Sequence, residues 1–120
     1  MRSLLVFLST LLLGLAITAC GDLGTLDEVD PEAAPATPTW DEHVAPIVDQ
    51  YCANCHSDSA QFGPAEGYVV ETCAQVKRGW RSFASTTFES KSMPPGAAPR
   101  PSSSELLTIQ RWHDQGAVCP

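Results

Sequence analysis

A chain of 120 residues, 43% hydrophobic and 18% charged, has room for one compact domain, so a single site is the expectation. Its formal charge of -7 comes from 14 acidic residues against 7 basic ones; no basic patch is available to displace counterions from a phosphate backbone, which argues against a nucleic-acid partner. The same charge is silent about fold.

The chain opens with Arg2, then an apolar run over residues 4–17 broken only by Ser9, Thr10 and Gly14, then the small residues Thr18 and Ala19. This is the three-part pattern of a secretory signal peptide, and the run is short for a membrane span. Its end, Ile17-Thr18-Ala19-Cys20, resembles the bacterial lipobox, in which the cysteine is lipid-modified and becomes the new N-terminus. The resemblance implies cleavage after Ala19 and an anchor of several acyl chains, each methylene adding ~0.8 kcal/mol of membrane affinity. The other reading is an ordinary signal peptide that ends near a cysteine. On the lipobox reading, the mature protein is exported and membrane-anchored, facing the periplasm or the cell exterior.

Residues 20–39 are acidic, rich in Ala and Pro, and poor in large apolar side chains, so they read as an extended tether. The folded part is expected over residues 40–120. A domain of about eighty residues is marginal on a hydrophobic core alone, and a cofactor or crosslink is expected.

Three helical stretches follow. Val44, Ile47, Val48, Tyr51, Cys52 and Cys55 recur at helical intervals on one face. Thr39 with Glu42 offers a capping box, but Pro46 lacks an amide donor, so the regular helix is expected to begin near Ala45. Thr72 with Gln75 caps a second helix over residues 73–78, with Gly79 as its stop and residues 80–83 as a candidate continuation. Ser102 with Glu105 opens a third; Leu106, Ile109 and Trp112 share its face and Gly116 closes it. No strand pair is visible, and the fold class expected is all-α.

The first helix ends in Cys52-Ala53-Asn54-Cys55-His56, and C-x-x-C-H is the attachment signature of c-type haem. Two cysteines three positions apart on a helical turn face the same way, so both sulfurs can reach one porphyrin, and the adjacent histidine can reach its iron. A thioredoxin-like pair would stand at a helix N-terminus, where the dipole lowers a thiol pKa; here the helix precedes the cysteines. A zinc site would need a fourth ligand at a familiar spacing, and none stands nearby. The opposite face of the iron has three candidates: Met93, the sole methionine once the leader is removed, followed by Pro94 and Pro95; His43; and His113. Both histidines read better as packed or solvated helix residues. His/Met ligation fills both axial positions, which favours electron transfer over substrate chemistry.

Residues 40–117 resemble a class I, mono-haem cytochrome c domain. The resemblance rests on the helix running into Cys52, Cys55 and His56, the Met93-Pro94-Pro95 loop, and the last helix ending at residues 112–116. It implies a small all-α domain of three or more helices around one covalent haem c, with His56 proximal and Met93 distal. It further implies that the first and last helices pack together, Val44, Ile47 and Val48 against Leu106, Ile109 and Trp112. Two departures are the short segment between the ligands and His113, which stands where an aliphatic residue is common.

Of the five cysteines, Cys20 is assigned to lipid and Cys52 and Cys55 to haem. Cys73 and Cys119 remain, either to pair with each other, as an exported compartment permits, or to stay free. Trp80, Trp112, Tyr51 and Phe83 are expected as wall and core, and Lys77, Arg78, Arg81 and Lys91 as a solvated basic face. The function expected is a one-electron carrier, not an enzyme, serving unidentified redox protein partners and held to a membrane through its lipid anchor. The alternatives are a haem-based ligand-binding or sensing module, a haem-bearing subunit of a larger membrane-associated oxidoreductase, and a haem-free structural lipoprotein.

Overall fold

The computed structural model describes residues 30–61 and 63–120. The expected signal segment, Cys20 and the first half of the tether lie outside them. Among the described residues the chain is helical, with no strand. No helix there is long and apolar enough to cross a membrane.

Helix α1 is a continuous helical run over residues 40–56, built from a wide π turn at Trp40–Val44, an α turn at Ala45–Val48, a second wide turn at Asp49–Ala53 and a last turn at Asn54–His56. The regular α turn starts at Ala45, as expected, and the wide turn extends the helix five residues ahead of it. The reason is a change of hydrogen-bond register before Pro46: Val44 N–H donates to Thr39 O at 3.2 Å and Ala45 N–H to Trp40 O, i to i−5. The wider turn spares the proline ring the clash with a carbonyl one regular turn back. The expected Thr39–Glu42 capping box does not form. His43 takes that place, its Nδ1 accepting the Thr39 N–H at 3.1 Å.

Helices α2 (Cys73–Arg78) and α4 (Ser103–Asp114) both start at the expected caps. Thr72 Oγ1 accepts from Gln75 N–H, and Gln75 Oε1 accepts from Thr72 N–H at 2.8 Å. Ser102 Oγ accepts from Glu105 N–H, and Glu105 Oε2 accepts from Ser102 N–H at 2.7 Å. Two orphan donors at each helix start are thereby satisfied. Gly116 (φ 100°) closes α4: its N–H donates to His113 O and Ala117 N–H to Trp112 O, a Schellman end whose left-handed residue favours glycine.

Between them lies α3, residues 80–89, an α turn at Trp80–Ala84 running into a π turn at Ser85–Glu89. Gly79 separates α2 from α3. Its φ of -88° needs no glycine, but the space where a Cβ would stand is taken by the Tyr68 hydroxyl, which donates to Gly79 O at 3.2 Å.

The core joins Trp40, Val44, Ile47 and Val48 of α1, Val70, Cys73 and Val76 around α2, Phe83 of α3, and Ile109, Trp112 and Ala117 at the chain end. The first and last helices therefore pack together, with Trp40 and Trp112 ring centroids 5.3 Å apart. Leu106, expected in this contact, is half-buried and stands outside the cluster; Thr108 takes a buried place instead. A disulfide joins Cys73 to Cys119. Across a separation of 46 residues it removes unfolded-state freedom worth ~4 kcal/mol.

The second half of the tether is docked on α4. One Arg111 amino group donates to the carbonyls of Pro31, Ala34 and Pro35 at 3.2, 2.6 and 3.2 Å, and Gln115 donates to Ala36 O at 2.7 Å. Ala34, within this strap, is 3% exposed. Composition identified the absence of a core in this segment, but not carbonyls aligned for a cation from the far end of the chain.

Candidate functional site

Cys52, Cys55 and His56 occupy the last two turns of α1. Cys52 is half-buried, Cys55 is exposed, and neither is in a disulfide. Burial pushes the Cys52 thiol up to about 11, so it is protonated at neutral pH. A thiol-disulfide catalyst needs the opposite shift, toward a ready thiolate. Nor do these residues form a zinc cage: among the described residues no three His, Cys, Asp or Glu side chains converge as metal ligands.

His56 is held from two sides by the segment ahead of α2. Its Nδ1 lies 2.9 Å from Tyr68 O, and Val70 N–H donates to His56 O at 2.8 Å. A carbonyl can only accept, so Nδ1 carries the proton and Nε2 presents its lone pair. That tautomer is the one an imidazole needs to bind a metal through Nε2. The Tyr68 ring stands edge-on to the imidazole with centroids 5.8 Å apart. Tyr68 thus touches His56 through backbone and ring, and its hydroxyl is tied to Gly79 O. Burial first, and then the neighbouring Cys52, raises the Tyr68 phenol above its usual value, so it too stays neutral.

Met93 is 36% exposed, in the loop between α3 and α4. Its neighbour Pro94 is buried. Met93 N–H donates to Thr86 O at 3.0 Å, and its carbonyl accepts from Arg100 at 3.3 Å. These partners belong to α3 and the loop, so the structure does not join Met93 to His56 through a hydrogen bond.

The rival histidines are engaged elsewhere. His43 Nδ1 accepts the Thr39 N–H, which puts the neutral ring's proton on Nε2 and leaves no free lone pair. His113 lies flat on Trp80, with ring centroids 3.8 Å apart and planes within 6°. Trp80 in turn packs on Phe83 and Phe88, and the departure at position 113 is thereby an aromatic stack. Lys77 donates to Gly116 O at 3.2 Å, while Arg78, Arg81 and Lys91 are exposed.

Hollows indent the described surface away from the Cys52, Cys55, His56 and Met93 side chains. One, of about 440 Å³, lies between residues 37–41 and Trp112, Gln115 and the chain end. Another, of about 450 Å³, is lined by Asp49, Asn54, Ser57 and Glu71 among others.

Sequence reasoning missed Tyr68, Thr86 and Arg100. Tyr68 and Thr86 act here through backbone carbonyls, which residue type does not advertise, and Arg100 is an exposed cation like any other until its two acceptors are seen. Against known proteins, no family model matches the chain, and no curated protein or solved structure does either.

Proposed function

We propose that the protein is an extracytoplasmic one-electron carrier of cytochrome c type. One haem c would be bound covalently through Cys52 and Cys55, with His56 and Met93 as axial ligands and Cys20 as the lipid anchor. The observation that carries the proposal is the 2.9 Å contact between His56 Nδ1 and Tyr68 O, directly behind two unpaired cysteines on the same helix end. The donor set fits the group: two free sulfurs for attachment, an imidazole with Nε2 available, and a thioether that remains accessible.

When bound, haem iron supplies a one-electron ferric/ferrous couple. The chain's own residues do the rest. Tyr68 O fixes the His56 tautomer and orientation. Thr86 O, accepting the Met93 N–H, and the Arg100 side chain, donating to Met93 O, hold the Met93 loop. The disulfide and the packing of α1 on α4 keep the attachment helix rigid. No substrate bond is made or broken, and the partners are redox proteins that exchange electrons with the carrier.

The test is a haem stain of a denaturing gel on full-length protein made in a host that matures c-type cytochromes. Stain that persists in the wild type and disappears in the Cys52→Ser, Cys55→Ser double variant is the expected result. Colourless wild-type protein from such a host overturns the proposal. The exposure of Met93 favours a second reading, a module that binds a diatomic ligand where the thioether departs. Rapid carbon monoxide binding by the ferrous wild type, with no thioether charge-transfer band in the ferric form, would select it.

A further inference from the structure

The loop that carries Met93 is held by one side chain outside the proposed ligand set. A single Arg100 amino group donates to Lys91 O at 2.9 Å and to Met93 O at 3.3 Å, bridging residues on either side of Ser92. Lys91 sits in the left-handed region at φ 51°, a conformation that costs a side-chain-bearing residue energy and persists only when its surroundings hold it. On the other side, the Met93 amide is fixed by Thr86 O at 3.0 Å. The Met93 backbone is thus held at both its donor and its acceptor, the first by α3 and the second by the guanidinium. A fixed fork of donors on a permanent charge suits a bridge between two carbonyls.

We propose that Arg100 is the positioning residue of the Met93 thioether, bridging the Lys91 and Met93 carbonyls so that the loop presents the sulfur in one place. This rests on the reading of Met93 as an axial ligand. Arg100 touches neither iron nor porphyrin on this account; it acts through the backbone of the ligand. Without it, Lys91 is free to relax and the thioether spends more time away from the metal.

The experiment uses full-length, haem-loaded protein in four forms: wild type, Arg100→Ala, Arg100→Lys, and Arg81→Ala as an exposed-charge control. Two quantities are read: the pH at which the ferric thioether band is lost, and the rate of carbon monoxide binding by the ferrous form. Arg100→Ala is expected to raise the thioether-off population about tenfold, equivalent to ~1.4 kcal/mol. The band midpoint then falls by about one pH unit, and carbon monoxide binds about tenfold faster. Arg100→Lys should recover part of both, because an ammonium can also donate to two carbonyls. Arg81→Ala should match the wild type, and haem stain should be equal in all four. A wild-type band that Arg100→Ala leaves in place, at unchanged midpoint and ligand rate, overturns this proposal alone. A stained wild type with no band overturns the Met93 assignment and this proposal with it.

Discussion

The two proposed ligands sit in regions built on different principles. His56 ends a helix whose other end is packed into the core, and its ring is bonded to the backbone of a segment that leads into the disulfide-tied α2. Met93 lies in an exposed loop, where its main chain is held by Thr86 O and by the Arg100 side chain. One ligand is fixed by its own side chain and the other by the placement of its main chain. Local opening free energies follow buried contacts, so the Met93 loop is expected to open long before the His56 helix does. For the proposed electron carrier this would be a usable asymmetry: His56 would hold the iron while Met93 would set how readily its thioether departs.

The largest expected effect falls on the rigid region. Cys73→Ser should cost ~4 kcal/mol of stability, seen as a fall in the thermal midpoint on the order of 20 °C, at about 4–8 °C per kcal/mol for a domain of this size. A fall of only a few degrees would mean that core packing, not the crosslink, holds the His56 side.

Next in size is an alkaline effect on the folded, haem-free protein. The Cys52 thiol ionises near 9.0 when unfolded and at about 11 when folded, so the unfolded chain loses its proton first. Stability is therefore full below pH 9 and is lost as pH rises toward 11, by up to about 3 kcal/mol at 1.36 kcal/mol per unit. Urea unfolding at a series of alkaline pH values measures this, and Cys52→Ala should flatten the slope.

Gly79→Ala comes third. A methyl group there meets the Tyr68 hydroxyl and ring, and the overpacking should cost about 2 kcal/mol. Because Tyr68 O holds His56, the same variant should disturb the histidine resonance in proton NMR, while Tyr68→Phe in the same chain should recover part of the loss. The single Tyr68→Phe change should be mild, since Gly79 O keeps its bond from Phe83 N–H.

The smallest effect tests the loop. Ser90→Ala removes a hydroxyl that donates to Ser85 O at 2.9 Å in an exposed setting, for about 0.5 kcal/mol or less. It should speed hydrogen exchange at the Met93 amide about twofold and lower the thermal midpoint by no more than about 4 °C. A far larger fall in the midpoint would erase the proposed difference between the two regions.

Much of this architecture was legible in residue order because it depends on neighbours along the chain. The capping boxes at Thr72 and Ser102, the stop at Gly116 and the apolar face of α1 all involve groups within one or two helical turns, where spacing dictates geometry. The Thr39 cap was misread because two acceptors lay within reach and the wide turn before Pro46 chose His43 over Glu42. Leu106 was misread because helical periodicity gives a face but not which residues of that face the partner helix covers.

By itself, then, the order of residues determined the all-helical class, the position of the C-x-x-C-H turn at a helix end, and the supply of two cysteines for a crosslink. Only the folded chain decided that Cys73 and Cys119 pair, that Tyr68 O faces His56 Nδ1, that the strap lies under Arg111, and that Arg100 bridges the Met93 loop. The last three are side-chain donors meeting main-chain carbonyls from 7 to 80 residues away, outside any shared helix. Every residue offers the same carbonyl, so nothing in its letter marks which one a distant donor will find.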